Sequence, residues 1–240
     1  MMFKYGLIGE KLIYSSSKEI FHRQFQSKKL SYENYEINNI KEFLKLIRTN
    51  NFSGLNVTNP YKIKIIDYLD KIDPKAQIIG SVNTINFKKN KTIGFNTDYL
   101  GFYSAFSKYF KKNISVLILG SGGVSRSISY VLNSLKINYQ TVSRTKNKHN
   151  ITYEEIDKST IKNNLIIINT TPLGTIGKFN EKPKIPFDDL SNNHILIDVN
   201  YYPRVTSFLR EGINKNCLTL NGYDMLKNQA LESWKIWNII

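Results

Sequence analysis

The chain has 240 residues, 41% of them hydrophobic, and carries 34 lysines and arginines against 19 acidic residues, a formal net charge of +15. This length and apolar content support one large or two small folded domains and exclude global disorder. No apolar run approaches the roughly 20 residues needed to span a bilayer. The amino terminus lacks the features of a secretory signal, and the single cysteine, Cys217, excludes an internal disulfide. We therefore expect a cytoplasmic protein without a membrane partner.

The excess of basic residues has three explanations. It is compatible with nucleic-acid binding, with attraction of an anionic cofactor or substrate, and with the abundance of Lys, Asn and Ile that is typical of translated AT-rich genes. The basic residues are scattered along the chain. We therefore expect no nucleic acid as a main partner.

The first hundred residues alternate between predicted strands and helices. Strands are predicted at 5–9, 35–37 and 54–58, and helices at 17–28 and 40–47. The segments 81–87 and 92–96 are joined by the turn "KKNK", which predicts a hairpin.

A second series of elements begins near residue 114. Strands are predicted at 114–120, 139–143, 165–169, 195–199 and 218–221, and helices at 128–135 and 222–237. Alternating strands and helices indicate a mostly parallel sheet with helices on both faces. The sequence therefore predicts two α/β units, with a boundary near 100–113.

A glycine-rich turn stands between the strand at 114–120 and the helix that follows it. The turn reads Gly120-Ser121-Gly122-Gly123-Val124-Ser125. Glycine allows the sharp turn and lets a pyrophosphate approach the backbone, while the helix N-terminus presents N–H groups to the phosphates. We predict a dinucleotide site here, and a turn that merely needs glycine is the alternative.

The segment after the next strand, "TVSRTKNK" at 141–148, indicates which dinucleotide is bound. An enzyme that uses NAD places an acidic residue there to bind the ribose 2′-OH, and this segment has none. Arg144 offers a forked donor for a 2′-phosphate, with Lys146 and Lys148 nearby. We therefore predict NADP, against the alternative that Arg144 is a solvated surface charge.

Polar side chains stand where the strands of the first unit end. They are Ser15, Ser17, Asn56, Thr58, Asn83, Thr84, Asn96, Thr97 and Asp98. Strand ends converge at one edge of an open sheet, where such folds bind ligands. Hydroxyls and amides at that edge suit a small polyhydroxylated molecule, and helix capping is the alternative for each residue singly.

These segments resemble the shikimate dehydrogenase family almost from end to end. The matching segments are "YSSS", "GLNVTNPYK", "GSVNTI", "GFNTDYLG", "GSGGVSR", "SRT", "NTTPLG", "DVNYYPRVT" and "GYDMLKNQ", in the family's order. The resemblance implies an N-terminal α/β substrate domain, residues 1–100 with 223–240, and a Rossmann-like, doubly wound NADP-binding domain, residues 101–222. It also implies reduction of 3-dehydroshikimate to shikimate with NADPH.

The resemblance further implies a role for individual residues. Ser15 and Ser17 would bind the substrate carboxylate, Thr58, Asn83, Asp98 and Gln229 would hold the ring hydroxyls, and Tyr201 would also approach the substrate. Gly120, Gly122, Gly123 and Val124 would cradle the pyrophosphate, and Ser143, Arg144, Thr145 and Lys148 would surround the 2′-phosphate. Thr170 and Gly222 would lie on the nicotinamide side.

Lys62 and Asp98 are implied as the catalytic pair. An ammonium near the substrate ketone would stabilise the developing oxyanion and donate the proton, and a carboxylate would orient that ammonium. We expect Lys62 in the first turn of the helix that follows Pro60.

This chain departs from the family pattern at several positions. Lys18 follows the serines where the family has proline, and Ser143 replaces an asparagine. Lys148 replaces an arginine, so we expect a weaker grip on the 2′-phosphate. The sequence ends at Ile240, soon after Trp237, and we therefore expect that the family's final helix is absent.

Two other functions stay open at this point. One is a dehydrogenase of quinate or a related cyclic polyol, with NAD as an alternative cofactor. The other is a non-catalytic nucleotide-binding homologue. No cluster with metal-ligand spacing occurs, so no metal is predicted, and a homodimer remains an open alternative.

Overall fold

The structure is a computed structural model, and it describes residues 2–13, 15–27, 29–175 and 177–240. The chain divides into two compact units. The first is Met1–Gly101 together with Lys227–Ile240, and the second is Phe102–Leu226. The sequence placed the divisions at 100/101 and 222/223, and the roles assigned to the two units stay predictions.

The first unit is built on a mixed six-stranded sheet. Its strands are β1 (Phe3–Gly9), β2 (Leu30–Glu36), β3 (Gly54–Val57), β4 (Lys71–Ile72), β5 (Thr84–Lys88) and β6 (Lys91–Phe95). Their order is β2-β1-β3-β5-β6-β4. β1 is parallel to both β2 and β3, whereas β5 is antiparallel to β3 and β6. The sheet is mixed because β5 runs antiparallel to its two neighbours, β3 and β6.

The predicted hairpin is confirmed as β5 and β6. Its turn residues, Lys89 and Asn90, both have a positive φ, 50° and 58°. Two consecutive left-handed residues give the turn a twist that matches the twist of the flanking strands. The hairpin brings the start of β5 and the end of β6 to one edge of the sheet.

The helices of this part of the chain are α1 (Ser17–Gln24), α2 (Glu42–Thr49), α3 (Pro74–Ile79), α4 (Asp98–Phe106) and α8 (Tyr223–Ile236). The helix predicted at 17–28 is shorter than expected, because Phe25 is already extended; Lys28 lies outside the described residues. α3 was not predicted, although Asp73 caps it by accepting from the amides of Lys75 and Ala76 and Gly80 ends it with φ 68°.

The second unit has an entirely parallel sheet. Its strands are β7 (Ser115–Leu119), β8 (Asn138–Val142), β9 (Asn150–Ile151), β10 (Ile166–Asn169), β11 (Ile195–Asp198) and β12 (Leu218–Asn221). Their order is β12-β11-β10-β7-β8-β9, which is the doubly wound arrangement of dinucleotide-binding folds. The helices are α5 (Gly123–Ser134), α6 (Lys158–Asn163) and α7 (Ser207–Asn214). The α/β class and the Rossmann-like fold are confirmed.

The two sheets are buried in different ways. In β7 the four successive residues Val116, Leu117, Ile118 and Leu119 are all fully buried. Successive strand side chains point to opposite faces, so both faces of this sheet are covered. In the first unit, Trp234 and Trp237 of α8 pack with Tyr5 of β1 in one core cluster. Within the described residues, no helix is both long and apolar enough to cross a bilayer.

Candidate functional site

A cluster of polar side chains lies inside the first unit, at the edge where β3 and β6 end and β5 begins. We call it the polar cluster, and its members are Asn56, Lys62, Asn83, Thr84, Thr97, Asp98, Gln229 and Ser233. All of them are buried except Gln229, which is half-buried. Buried polar groups are costly unless they are hydrogen-bonded, so the bonds within the cluster define its geometry.

Lys62 and Asp98 form an ion pair at the centre of this cluster. Lys62 Nζ lies 2.8 Å from Asp98 Oδ2, and the two side chains are only 11% and 5% exposed. The second carboxylate oxygen, Oδ1, accepts a hydrogen bond from Asn83 Nδ2 at 2.9 Å. Both oxygens of Asp98 therefore have donors, and the ammonium is held in a fixed place.

The backbone around Lys62 is anchored on both sides. Tyr61 is buried, and its hydroxyl donates to the carbonyl of Ile37 at 2.6 Å. The carbonyl of Lys62 accepts from the amide of Val82 at 2.8 Å. Because this bond ties Lys62 to the segment before β5, the residue lies in a turn before the 3₁₀ helix Lys64–Tyr68. The expectation that Lys62 lies in the first turn of a helix was wrong.

Asn83 organises the other side of the cluster. Its Oδ1 accepts from the amide of Thr97 at 2.6 Å, directly before α4 begins at Asp98. Its Nδ2 donates to Gln229 Oε1 at 3.1 Å as well as to Asp98. One amide therefore joins the end of β6, the catalytic carboxylate candidate and helix α8.

Ser233 is a member of the cluster that the sequence did not predict. Its hydroxyl shares a hydrogen bond with that of Thr84 at 2.8 Å and accepts from Asn56 Nδ2 at 3.0 Å. It lies four residues after Gln229, so both side chains lie on the same face of α8. That spacing was the available signal.

Among the residues of the first unit that were predicted to bind substrate, Ser15, Ser17 and Thr58 are not members of the polar cluster. Ser17 is the first residue of α1, and its amide donates to Ser15 Oγ at 3.3 Å. Thr58 follows β3, and its amide donates to the carbonyl of Ile8 at 2.9 Å. All three side chains are half-buried. The hydrogen bond to Ser15 lies at the start of α1, and it is a local contact of the kind expected under the alternative that these residues cap helices.

The glycine turn of the second unit has the geometry of an anion cradle. Gly120 has φ 112°, and a Cβ there would lie 2.5 Å from Thr170 Oγ1, so glycine is required. A Cβ on Gly122 would meet nothing within 4 Å. Gly122 is the N-cap of α5, which begins at Gly123 and Val124. Open space in front of a helix N-terminus suits a pyrophosphate, so these residues fit the predicted dinucleotide.

The segment after β8 lies next to this turn. The hydroxyls of Ser143 and Ser121 are 3.1 Å apart and share a hydrogen bond. Arg144, Thr145 and Lys148 are exposed. Lys146 forms an ion pair with Glu155, and its hydrogen bond is the main cause that lowers the pKa of that carboxyl.

The charge of Arg144 acts on the hydroxyl of Tyr153. Burial raises the pKa of the Tyr153 hydroxyl, and the charge of Arg144 opposes that rise. The guanidinium of Arg144 is therefore within electrostatic reach of Tyr153. Since Lys146 is balanced by Glu155, Arg144 and Lys148 are the better candidates to attract a phosphate.

Three more predicted residues belong to the second unit. Thr170 follows β10, and its hydroxyl donates to the carbonyl of Leu119 at 2.7 Å. Tyr201 lies half-buried beyond the end of β11. Gly222 donates from its amide to the carbonyl of Asn200 at 3.0 Å, and a Cβ there would lie 2.0 Å from the carbonyl oxygen of Val199. Among the described residues, no group of three or more His, Cys, Asp and Glu could hold a metal ion.

Comparisons with known proteins agree on one family. The family profile described as "Shikimate dehydrogenase substrate binding domain" matches residues 7–85. The NADP(+) shikimate dehydrogenase of Clostridium beijerinckii is 38% identical, over 97% of this chain and 91% of that protein. The crystal structure of shikimate dehydrogenase 1 from Peptoclostridium difficile is 35% identical, with a TM-score of 0.89 over 99% of this chain and 92% of that one. A shikimate 5-dehydrogenase from Listeria monocytogenes, solved with shikimate and NAD, is 25% identical with a TM-score of 0.80, over 100% of this chain and 92% of that one.

Proposed function

The chain belongs to the shikimate dehydrogenase family, and we propose that it reduces 3-dehydroshikimate to shikimate with NADPH. The observation that carries this proposal is the buried ion pair of Lys62 and Asp98 inside a cluster of amides and hydroxyls. The relative from Clostridium beijerinckii is named as an NADP(+) enzyme, which supports NADP as the cofactor. The relative from Listeria monocytogenes was solved with shikimate, which supports shikimate as the reaction product.

Lys62 is the proposed proton donor. Reduction of a ketone places negative charge on its oxygen, and an ammonium within hydrogen-bond reach stabilises that charge and protonates it. Asp98 fixes the ammonium at 2.8 Å.

The remaining members of the cluster suit the ring hydroxyls of the substrate. Asn83, Asp98 and Gln229 offer both donors and acceptors, and Thr58 adds a hydroxyl at the end of β3. In this structure Asn83 bonds to Asp98 and Gln229, so a bound hydroxyl would exchange places with those internal partners. We assign the substrate carboxylate to the hydroxyls near the start of α1, Ser15 and Ser17, and a further substrate contact to Tyr201.

The second unit is the proposed dinucleotide-binding domain. Gly120, Gly122, Gly123 and Val124 would hold the pyrophosphate. The 2′-phosphate would lie against Ser143, Arg144, Thr145 and Lys148, and the nicotinamide side against Thr170 and Gly222. When bound, NADPH supplies the hydride. The protein's own residues supply binding, orientation and the proton.

We also propose that the enzyme acts in the cytoplasm. The oligomeric state is decided by sedimentation of the purified protein, where a mass near 27.8 kDa, the mass of one chain, indicates a monomer and twice that mass indicates a homodimer.

The test of the function is turnover by the purified protein. Loss of nicotinamide absorbance with NADPH and 3-dehydroshikimate is the expected result. The same protein is then assayed in the oxidative direction with shikimate or quinate, each with NADP⁺ or NAD⁺. Turnover of quinate with NAD⁺ and none of shikimate would overturn the proposal in favour of a polyol dehydrogenase. Dinucleotide binding without any turnover would leave a non-catalytic homologue.

The role of Lys62 is tested by Lys62→Ala. We expect kcat to fall by about 10²–10⁴, the usual worth of a general acid, while NADPH binding, proposed for the other unit, is retained. Lys64→Ala is the matched control, because Lys64 is exposed and lies only two residues away. Near-normal turnover by Lys62→Ala, or an equal loss in the control, would refute the assignment.

A further inference from the structure

Asp198 is a fully buried acidic residue to which neither the sequence nor the proposed mechanism gives a role. It is the last residue of β11 in the second unit, and its side chain has no exposed surface. Burial raises its pKa to about 6, against the opposing effect of its hydrogen bonds. A buried carboxyl group is costly to retain, so what it contacts indicates what it does.

The carboxylate of Asp198 accepts hydrogen bonds from three different segments. Oδ1 accepts from Asn169 Nδ2 at 3.2 Å, at the end of β10, and from the amide of Asn200 at 3.0 Å. Oδ2 accepts from Thr206 Oγ1 at 2.6 Å, and Thr206 is the N-cap of α7. One side chain therefore ties together the ends of two strands and the start of a helix.

The two asparagines bound to Asp198 in turn hold the loop at 170–174. Asn169 Oδ1 accepts from the amide of Thr171 at 3.0 Å and from its hydroxyl at 2.7 Å. Asn200 Nδ2 donates to the carbonyl of Thr171 at 2.9 Å. Both the amide and the carbonyl of Thr171 are thus fixed by side chains of residues that contact Asp198.

The Oδ1 position of Asp198 must carry an acceptor for Asn169, and a carboxylate oxygen can only accept. Asn169 must turn its NH₂ toward Asp198 and its oxygen toward Thr171. With the opposite orientation, two oxygens would face each other at Asp198, and two donors would face each other at Thr171. Asp198 therefore determines the orientation of Asn169, and through it the position of the loop.

The same loop packs closely against the glycine turn. Thr170 lies so near Gly120 that a Cβ there would be 2.5 Å from its hydroxyl oxygen. At the other end, Gly174 has φ 90°, and a Cβ there would lie 3.1 Å from Thr206 Cβ. Because this packing is tight, a shift of the loop would displace Thr170 from the turn.

We propose that Asp198 is a positioning residue that fixes the 170–174 loop for dinucleotide binding. This inference rests on the proposed function, since it takes the glycine turn as the dinucleotide site. Asp198 touches neither substrate nor dinucleotide in this scheme. It acts through Asn169 and Asn200, and its effect falls on the binding of NADPH.

The test compares Asp198→Ala with the isosteric Asp198→Asn in the full-length protein. We expect Asp198→Ala to raise the dissociation constant of NADPH by about tenfold or more, because a small misplacement of a binding group has an effect of this size. The measurement is a titration with NADPH that is monitored by nicotinamide fluorescence. KM for NADPH should rise equally while KM for 3-dehydroshikimate stays within about twofold. Asp198→Asn keeps an acceptor for Asn169 and a donor for Thr206, so it should recover most of the affinity.

The matched control is Ile197→Ala. Ile197 is the neighbouring residue in β11 and is equally buried, but it has no side-chain hydrogen bonds to give. This variant should lower the melting temperature and leave NADPH affinity within about twofold in the folded protein. NADPH affinity unchanged in Asp198→Ala, or lost equally in Ile197→Ala, would overturn the proposal.

Two further measurements keep the test decisive. If Asp198→Ala does not fold, Asn200→Ala removes the side-chain bonds to the carbonyls of Thr171 and Leu173 in the same loop, and unchanged NADPH affinity in that variant overturns the proposal. Wild-type protein that binds neither NADPH nor NADH refutes the proposed function itself. If wild-type protein binds NADPH but shows no turnover, the effect of Asp198→Ala on NADPH binding can still be measured. Failure of the proposed function and failure of this inference are therefore distinguishable.

Discussion

Breaking the ion pair of Lys62 and Asp98 should destabilise the first unit strongly. Lys62→Met keeps the apolar stem and removes the ammonium, which leaves the carboxylate of Asp98 with the amide of Asn83 as its remaining partner in the cluster. With side chains 11% and 5% exposed, the pair is a buried one. Removing one member of such a pair costs about 3–5 kcal/mol, because the other charge stays buried without compensation. Because Asn83 still donates a hydrogen bond to Asp98, we expect the loss of stability to lie at the lower end of this range.

The reverse variant and the double variant complete a cycle. Asp98→Asn leaves the ammonium of Lys62 without its carboxylate, so a loss of about 3 kcal/mol is again expected. In the double variant neither charge remains, and the amide introduced by Asp98→Asn can still accept from Asn83. Its loss should be smaller than the sum of the single losses, with a coupling energy of about 2–3 kcal/mol.

The protein offers a selective probe for this measurement. Its two tryptophans, Trp234 and Trp237, both lie in the first unit and are buried. Two compact units need not unfold in one step, but tryptophan fluorescence in urea follows only the unit that contains the pair. Lys64→Met, at an exposed position nearby, is the control and should change little.

Small losses in both single variants would contradict this prediction. If each single variant lost less than about 1 kcal/mol and the coupling were near zero, the pair would behave like an exposed surface ion pair. The cluster would then be solvated in solution, and Lys62 would not be held in a low-dielectric site.

Three further outcomes are expected in the second unit. Gly120→Ala should reduce NADPH affinity by about tenfold or more, because it combines a left-handed φ of 112° with a contact of 2.5 Å to Thr170 Oγ1; wild-type affinity by nicotinamide fluorescence would contradict the geometry, and Gly177→Ala, with φ 78° and open space around its Cβ, controls for backbone strain alone. Arg144→Gln should raise KM for NADPH by about tenfold and leave KM for NADH within about twofold, because a charge-assisted pair with the 2′-phosphate is lost; equal changes in both would show that Arg144 does not read that phosphate. The pKa of Asp198, raised from 3.8 to about 6, means that the folded state keeps a proton that the unfolded state releases, so stability should fall as pH rises from about 4 to about 6, by roughly 3 kcal/mol relative to Asp198→Asn; a difference between the two proteins that is constant over this range, by calorimetry, would rule out the raised pKa.

Much of the fold was predictable because its signals are local. The apolar strand before Gly120 and the glycine turn after it stand within a few residues of one another, and both were recognised in the sequence. The hairpin of β5 and β6 was likewise predicted from its turn. The helix α3 was missed although Asp73 and Gly80 marked its two ends, because its short length of six residues hid its apolar periodicity.

The candidate site was only partly predictable. The residue types at the strand ends indicated a polar ligand, and the family resemblance named Lys62 and Asp98. It could not say that Lys62 precedes its helix, since that depends on a hydrogen bond to Val82, a distant residue in the chain. Ser233 was missed although it lies four residues after Gln229 on α8, because the sequence does not show that this face of α8 lies against β5.

Local signals in the sequence were sufficient for most of the strands, for the helices α1, α2, α5 and α8, for the parallel sheet of the second unit and for the glycine turn, because strand, helix and turn propensities act between neighbours in the chain. They did not reveal β4, β9, α3, α4, α6 or α7. Tertiary structure alone decided which polar groups meet. Asn83 and Gln229 are 146 residues apart, and Lys62 and Asp98 are 36 apart, so their contact follows from the docking of whole elements. Asp198 gained its partners in the same way, since the ends of β10 and β11 become neighbours only when the sheet forms. Burial then makes each of these contacts obligatory, because a polar group removed from water must find its partner within the fold.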